Sequence, residues 1–307
     1  MTPHYSSDDA GYNVWWSVYT NYVQNGLLLP WNAWKVARAG RPETAALSAL
    51  VALAAGALLF WHTRRVVRKE SLDLLETRRL LLISIGVFFL GYAIFLTNAN
   101  VQFTPTGIGN RTAIAAALGV SLSVVALSAL AAHWVVARWR GLAYSALIAA
   151  AGASGCFIVN SVAALWVEAY SQEVTVIRGV AAASPHGPPG TTILLDGVCP
   201  FLGPAPVFES SWDFSSAVAF HYRTPQPLSG HVLSPSAAVR PKGFVITHYG
   251  IEYEYPYATG LVIYNARLGI LYHVPDEAAA RHYIETVSRD LTSGCPKSVA
   301  GIGVQLY

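Results

Sequence analysis

The polar residues best suited to bind an anion lie in the segment 97–111, which is dense in amides, hydroxyls and glycines. Arg111 ends this segment just where an apolar run begins, and a guanidinium beside a helix N-terminus can bind a phosphate or a carboxylate. The other interpretation, which we favour, is that Arg111 anchors the helix at the edge of an apolar layer while the loop forms a hydrogen-bonded turn. The candidate ligand-binding residues here are Asn98, Asn100, Asn110 and Arg111.

A second group combines a tryptophan, a carboxylate and a histidine, which together could hold a sugar or an anion. Its members are Trp212, Asp213 and His221. No defined spacing connects them, and an aspartate or histidine at a strand edge is more often structural. The sequence therefore assigns no catalytic residue here.

The third candidate is an acidic pair, Asp8 and Asp9, which precedes an aromatic segment. Adjacent carboxylates at a membrane surface can hold a divalent cation against a lipid phosphate. A polar tail explains the same pair without any ligand, and we favour that explanation. Because no cysteine or histidine stands at zinc-ligand spacing, we predict no resident metal and no cofactor.

The elements that must position these residues are largely apolar. Of the 307 residues, 53% are hydrophobic and only 12% are charged. A helix needs about 20 apolar residues to cross a bilayer, and the segments 44–61, 80–97, 112–137 and 142–167 approach or exceed that length without a charged residue in their cores. The pattern predicts four transmembrane helices within 44–169, with Gly119 and Ser123 as small residues for close packing. The lack of deep charges argues against an ion-coupled transporter.

Orientation follows from the basic residues in the short connections. The connections 62–79 and 138–141 hold eight Lys or Arg residues, whereas 1–43 and 98–111 together hold four. The positive-inside bias therefore places the N-terminus and the C-terminal domain outside the cytoplasm, in a multi-pass protein of a bacterial inner membrane. The aromatic stretch 11–34 in the outer segment 1–43 predicts a helix in the membrane interface; docking on the C-terminal domain or on a partner is the alternative.

The remaining residues, 170–307, predict an extracytoplasmic α+β domain. The fourth helix is expected to continue briefly past Tyr170, until the Pro- and Gly-rich stretch 185–190 ends it. Strand-like runs occupy 191–195, 217–222, 244–249 and 251–255, and a hairpin is expected from 261–264 and 270–274. One helix should begin at Asp276 as its N-cap. A small, mostly antiparallel sheet follows from this order of elements.

Three cysteines complete the inventory of reactive side chains. Cys199 and Cys295 both fall in the outer domain, and in an oxidising compartment they are expected to form a disulfide. Cys156 lies within the fourth apolar segment and is expected to be a small packing residue.

The layout resembles the C-terminal portion of bacterial multi-spanning glycosyltransferases that use lipid-linked sugars. The shared features are an aromatic outer helix, several spans, an outer α+β domain, and the acidic pair Asp8 and Asp9. The resemblance implies that the chain is part of an enzyme acting on polyprenyl-phosphate sugars, with four spans covering only a portion of such an enzyme.

Two hypotheses follow for function. In the first, which we favour, a non-enzymatic membrane protein binds or scaffolds a cell-envelope partner through its outer domain. In the second, the chain is part of a membrane glycosyltransferase. Besides the lipid bilayer, the expected partners are accordingly an envelope protein or a lipid-linked sugar. No clustered basic face is present, so nucleic acid is not an expected partner.

Overall fold

The computed structural model describes residues 14–15, 18–19, 21–23, 42–67, 73–96, 114, 116–185, 190–203, 205–208, 211–223, 229–233, 237–248 and 251–288. They fall into two compact units that divide between Ala164 and Leu165. We call the first the helical unit and the second, Leu165–Lys297, the C-terminal unit. The division lies inside a helix, five residues before the predicted domain boundary.

Four helices follow the apolar segments of the sequence. They are α1 (Pro42–Val67), α2 (Leu74–Leu96), α3 (Ala117–His133) and α4 (Arg140–Ala183). Among the described residues, two helical stretches, Pro42–Val67 and Ala137–Ala183, are long and apolar enough to cross a membrane, and Ala117–His133 is a shorter apolar helix. The prediction of four spans is thus reduced to two. The third predicted span falls short because its helix ends at His133, where the chain turns before α4.

Small residues set the contacts inside the helical unit. A Cβ placed on Gly119 of α3 would lie 2.5 Å from the backbone N of Phe88 on α2, so the two backbones are nearly in contact. Ser123, one turn further, has its Oγ 2.9 Å from Ser84 Oγ of α2. Helices without polar faces associate through such close approaches and hydroxyl contacts. The predicted packing role of Gly119 and Ser123 is confirmed.

The described part of the aromatic N-terminal stretch packs against these same helices. Asn21 Nδ2 donates to the Tyr92 hydroxyl at 2.5 Å. The Tyr22 hydroxyl lies 2.9 Å from Ser123 Oγ, and its ring contacts Phe88 with the centroids 5.3 Å apart. The Asn21 amide and the Tyr22 phenol therefore find partners within the helical unit, a contact that the sequence did not indicate.

The C-terminal unit begins with the last part of α4, and its described residues form three small sheets. The strands of the central sheet are β1 (Thr192–Asp196), β4 (Ser229–Val232), β8 (Val262–Asn265) and β9 (Ile270–His273), and they lie in the order β4–β1–β8–β9. The remaining described strands are β2 (Phe201–Leu202), β3 (Ala205–Pro206), β5 (Ala237–Arg240), β6 (Gly243–His248) and β7 (Ile251–Pro256). The α-helices described after α4 are α5 (Ser211–Tyr222) and α6 (Glu277–Thr286).

The central sheet differs from the antiparallel sheet that was expected. β1 pairs in parallel with both β4 and β8, and only β8 with β9 is antiparallel. All five residues of β1 are buried, as is typical of a strand covered on both faces. The antiparallel prediction holds for the separate sheet β5–β6–β7 and for the hairpin of β8 and β9.

One predicted strand was wrong. Residues 217–222 alternate in polarity, but they form the second half of α5. The buried residues of this helix, Phe214 and Val218, are four apart, which is a helical spacing. A window of six residues was too short to separate the two periods. The predicted N-cap of α6 is confirmed, because the Asp276 side chain accepts a hydrogen bond from Ala279 N at 2.8 Å.

Candidate functional site

Most of the residues predicted to bind a ligand cannot be placed. Those outside the described residues are Asp8, Asp9, Asn98, Asn100, Asn110 and Arg111. Cys295, the predicted disulfide partner of Cys199, also lies outside them. Their predicted roles stay predictions. Cys199 takes part in a disulfide and Cys156 is free, while the proposed pairing of Cys199 with Cys295 also remains a prediction.

Helix α5 carries the second predicted group. Asp213 and His221 are eight residues apart, so about 12 Å of helix axis separates them and they do not converge. Trp212 is 59% exposed, and the His221 ring packs edge-on against Tyr222. Asp213 instead acts on Glu173 of α4, whose pKa is raised by burial and then by the negative charge of Asp213. The structure therefore does not bring Trp212, Asp213 and His221 together as one site.

A concave site lies elsewhere in the C-terminal unit. A cleft of about 570 Å³ opens where α4 faces the loops that follow β1 and β8. Ligand sites in parallel sheets form at the carboxyl ends of strands, and both loops leave from such ends. We call this cleft the edge pocket; it is lined by Glu168, Ser171, Gln172, Thr175, Val176, Gly197, Val198, Cys199, Ala266 and Arg267.

One wall of the edge pocket is a single face of α4. Glu168 precedes Ser171 and Gln172 by three and four residues, and Thr175 follows them by four and three, so the four residues project on the same side. The helix is otherwise apolar in its first half, and this polar stripe begins one residue after the predicted span 142–167 ends. The wall presents a carboxylate, two hydroxyls and an amide to the cleft.

The opposite wall is held by a buried polar network at the strand ends. Asp196 closes β1 and Asn265 closes β8, and the two are paired in the parallel register. Asp196 Oδ2 accepts from the Tyr283 hydroxyl at 2.6 Å and from Asn265 Nδ2 at 3.1 Å. Asp196 and Asn265 are only 3% and 4% exposed. These bonds fix the starting points of both lining loops.

The same two residues then determine the course of the loops. Asp196 Oδ1 accepts from Gly197 N at 2.6 Å, and Asn265 Oδ1 accepts from Arg267 N at 3.1 Å. In the two turns, the Asp196 carboxylate and the Asn265 side-chain amide thereby accept hydrogen bonds in place of backbone carbonyls. The network positions the pocket wall, while its own polar atoms form hydrogen bonds with one another and with the two loops.

Gly197 allows the two loops to meet. Its φ of +76° lies in the left-handed region, which favours glycine. A Cβ at this position would also lie 2.9 Å from Arg267 Cγ, so the arginine stem packs over the glycine. Arg267 itself is one of the residues that line the edge pocket.

Burial also affects the ionisation of Tyr283 in this network. Desolvation, reinforced by the hydrogen bond to Asp196 and by its negative charge, raises the pKa of Tyr283 far above the usual value of a phenol. Tyr283 therefore stays protonated and continues to donate to Asp196 at physiological pH.

The chemistry of the lining fits the binding of a polar, charged molecule. Arg267 and Glu168 contribute one basic and one acidic side chain to a lining that also contains hydroxyl and amide groups. Within the described part of the chain, no group of three or more His, Cys, Asp or Glu residues is placed to hold a metal ion.

Sequence reasoning missed this site, although part of it left a signal. The polar residues of α4 at spacings of three and four, just past an apolar run, could have been identified as one helix face. Gly197 and Arg267 could not, because only the pairing of β1 with β8 brings their loops together. Comparisons with protein-family models, with curated proteins and with solved structures each found no match.

Proposed function

We propose that this chain is a non-enzymatic integral membrane protein whose C-terminal unit binds a component of the cell envelope at the edge pocket. The observation that supports the proposal most directly is the distribution of apolar and polar residues along α4. One unbroken helix, Arg140–Ala183, contains both an apolar run and the polar wall of the pocket. A binding site is thus continuous with a helix that is long and apolar enough to cross a bilayer.

Cellular placement follows the sequence pattern. The excess of basic residues in the connections 62–79 and 138–141 supports a cytoplasmic position for both, which leaves the edge pocket on the outer side of a bacterial inner membrane. The disulfide at Cys199, which lines the pocket, supports the same side because disulfides persist in oxidising compartments.

Binding without chemistry is supported by the composition of the lining. Nucleophilic catalysis needs a nucleophile with a base oriented beside it. The Thr175 hydroxyl of the pocket donates back to Ser171 O at 2.8 Å within α4. The lining combines one acid, Glu168, and one guanidinium, Arg267, with hydroxyl and amide groups, and this set suits the recognition of a polar molecule.

The test is purification of the full chain in mild detergent, followed by native mass spectrometry. We expect a co-purifying envelope component that is depleted at least tenfold in Arg267→Gln and in Glu168→Gln. Arg240→Gln and Glu252→Gln provide matched controls, because both residues are exposed on the antiparallel sheet and neither lines the pocket. Equal recovery of every bound component from all five proteins would contradict the proposal.

The glycosyltransferase alternative depends on residues outside the described part of the chain. It requires Asp8, Asp9 and Arg111 to converge on a groove at the membrane surface. A bound polyprenyl phosphate that disappears in Arg111→Ala or in Asp8→Ala with Asp9→Ala, and persists in Arg267→Gln, would favour it over binding at the edge pocket.

A further inference from the structure

We infer that one end of the helical unit binds the anionic phospholipid headgroups of the membrane leaflet that it faces. The arginines of this surface, which we call the arginine end, are Arg64, Arg65, Arg78, Arg79, Arg138 and Arg140. The inference goes beyond the proposed function, because the edge pocket takes no part in it. Three features support it: the convergence of helix ends, the freedom of the arginine side chains, and the exposed tryptophans beside them.

Helix α1 ends beside the start of α4. A Cβ placed on Gly141 would lie 3.0 Å from Val67 Cγ1 and 3.1 Å from Arg64 Nη1. Further along the pair, a Cβ on Gly56 of α1 would lie 3.0 Å from the Cβ of Ala153 on α4. The two helices therefore run antiparallel, and the last arginines of α1 lie at the same end as the first residue of α4.

The start of α2 lies at this end as well. The contacts of Ser84 with Ser123, and of the next turn of α2 with Gly119, require α2 and α3 to run antiparallel. Ten residues separate Ser84 from the start of α2 and ten separate Ser123 from the end of α3, so both helices extend about 15 Å from this contact in the same direction. From His133 the chain passes through a short 3₁₀ helix, Ala137–Trp139, into α4. The arginines of α2, of this connection and of α4 therefore lie at the same end as those of α1.

The positive charge of the arginine end is only partly compensated. In the described part of this end, six arginines and two carboxylates, Asp73 and Glu76, leave a net charge of +4. Arg79 Nη1 donates to Glu76 Oε1 at 2.8 Å, and Arg140 Nε donates to Val135 O at 3.3 Å. Four other guanidinium groups form no hydrogen bond and no ion pair within the described part of the chain: those of Arg64, Arg65, Arg78 and Arg138. Their N–H donors are available to an anion.

Two tryptophans hold two of these guanidinium groups in place. Arg65 Cζ lies 3.4 Å from the centroid of the Trp61 ring, and Arg138 Cζ lies 5.6 Å from that of Trp139. The cation–π attraction involves the face of the guanidinium, whereas its N–H donors lie in the plane of the group. Each arginine can therefore contact a ring and still donate two parallel hydrogen bonds to a phosphate.

The exposure of the tryptophans favours a lipid over other polyanions. Trp61 and Trp139 are 54% and 47% exposed, and Trp134, just after α3, is 93% exposed. Trp61 closes the apolar run 44–61 and Trp139 precedes the run 142–167, which is the headgroup level where tryptophan is enriched. A bilayer with anionic lipids offers an apolar layer beside its phosphates. Nucleic acid and soluble phosphate offer the charge alone.

The experiment uses the full chain in mild detergent and two lipids with identical acyl chains. Dioleoyl phosphatidylglycerol and dioleoyl phosphatidylcholine are added as an equimolar mixture, and the bound lipids are counted by native mass spectrometry. We expect wild type to retain phosphatidylglycerol about tenfold over phosphatidylcholine. The triple variant Arg65→Gln, Arg78→Gln, Arg138→Gln should lower this preference about fivefold, because three positive charges at the headgroup level are lost.

A matched control removes three positive charges from the C-terminal unit. The triple variant Arg223→Gln, Arg240→Gln, Lys242→Gln changes exposed residues and should keep the full preference. Replacing the three arginines of the arginine end by lysine keeps the charge and loses the paired donors, so this variant should keep about half of the wild-type preference. A lysine variant no better than the glutamine variant would overturn the inference.

The other results that would overturn it are equally direct. They are equal binding of the two lipids by wild type, an undiminished preference in the glutamine variant, and an equal loss in the control. Displacement of phosphatidylglycerol by an excess of inorganic phosphate would mean that the natural ligand is a soluble anion and that the lipid assignment is wrong. Arg267→Gln should keep the lipid preference, and the glutamine variant should still co-purify the envelope component, so either proposal can fail without the other.

Discussion

In the helical unit, two helices approach each other closely at a glycine, which has no side chain. In the C-terminal unit, two strands end at a buried aspartate and a buried asparagine. Gly119 brings α3 against the backbone of Phe88, with hydroxyls such as that of Ser123 as the polar contacts. At the ends of β1 and β8, by contrast, Asp196 and Asn265 are joined to each other and to Tyr283.

The difference follows from where the backbone N–H and C=O groups of each unit find their hydrogen-bond partners. A helix pairs its own N–H and C=O groups, so contact between helices requires only that surfaces fit. A strand end leaves backbone groups that must find partners in the following turn. Polar side chains therefore hold the loops of the C-terminal unit, while small residues hold the helices together. This contrast predicts different costs for similar substitutions.

The largest effect is expected at the network in the C-terminal unit. Asp196→Ala should lower the free energy of unfolding of the C-terminal unit by about 3 kcal/mol, because the Tyr283 hydroxyl and the Gly197 N–H lose a buried charged acceptor. Pulse proteolysis of the full chain in mild detergent measures this cost. Glu252→Ala, on an exposed position of β7, is the control. A cost below that of the control would remove the distinction between the two units.

The second largest effect is expected at the contact of Gly119 in the helical unit. Gly119→Ala should destabilise it by about 2 kcal/mol through overpacking, since the new Cβ would meet backbone atoms of Phe88 that cannot rotate away. Gly86→Ala is the matched control, because nothing lies within 4 Å of a Cβ there and alanine favours the helix. Thermal unfolding in detergent compares the two variants. If both behave alike, close approach does not hold α2 and α3.

A pH dependence distinguishes the network further. The pKa of Tyr283 is raised, so its contribution to stability is complete below the ordinary phenol value near 10 and decreases as the pH rises above it. At pH 11 the loss from this group should be about 1.4 kcal/mol. Tyr283→Phe should be less stable than wild type at pH 8, and the gap should narrow by pH 11, as followed by denaturant titration. A constant gap would contradict this assignment.

The smallest change is expected from a hydroxyl between helices. Ser123→Ala removes the contacts with Ser84 and Tyr22, and such contacts in apolar bundles contribute about 0.6 kcal/mol. Thermal unfolding of the helical unit should therefore shift only slightly. Ser121→Ala is the control, since that hydroxyl bonds only within its own helix to Ala117 O. A shift as large as that of Gly119→Ala would mean that hydroxyls, not small size, hold the bundle.

How much of this could be predicted from the sequence depends on the range of the pattern. The four helices, the hairpin of β8 and β9 and the N-cap at Asp276 all follow from residues close together in the chain. The parallel pairing of β1 does not, because its partners are separated from it by long connections. The length of the third apolar segment was overestimated, since α3 ends at His133, where the sequence has no strong breaking residue.

The candidate site shows the same limit. The polar face of α4 is visible in the sequence as Glu168, Ser171, Gln172 and Thr175. The buried role of Asp196 is not, because an aspartate before a glycine is equally typical of an exposed turn. Only the register of β1 with β8 shows that Asp196 meets Asn265, and only the fold adds Tyr283 from α6.

Gly197 has a consequence for how this sequence can vary. Two independent requirements coincide there: a left-handed backbone, and room for the Arg267 stem. Shortening Arg267 relieves the second requirement but leaves a conformational cost of about 1 kcal/mol for any side chain at 197. The two positions are therefore coupled in one direction only. Position 267 can change in descendants that keep Gly197. A side chain at position 197, by contrast, is excluded as long as Arg267 keeps its full length.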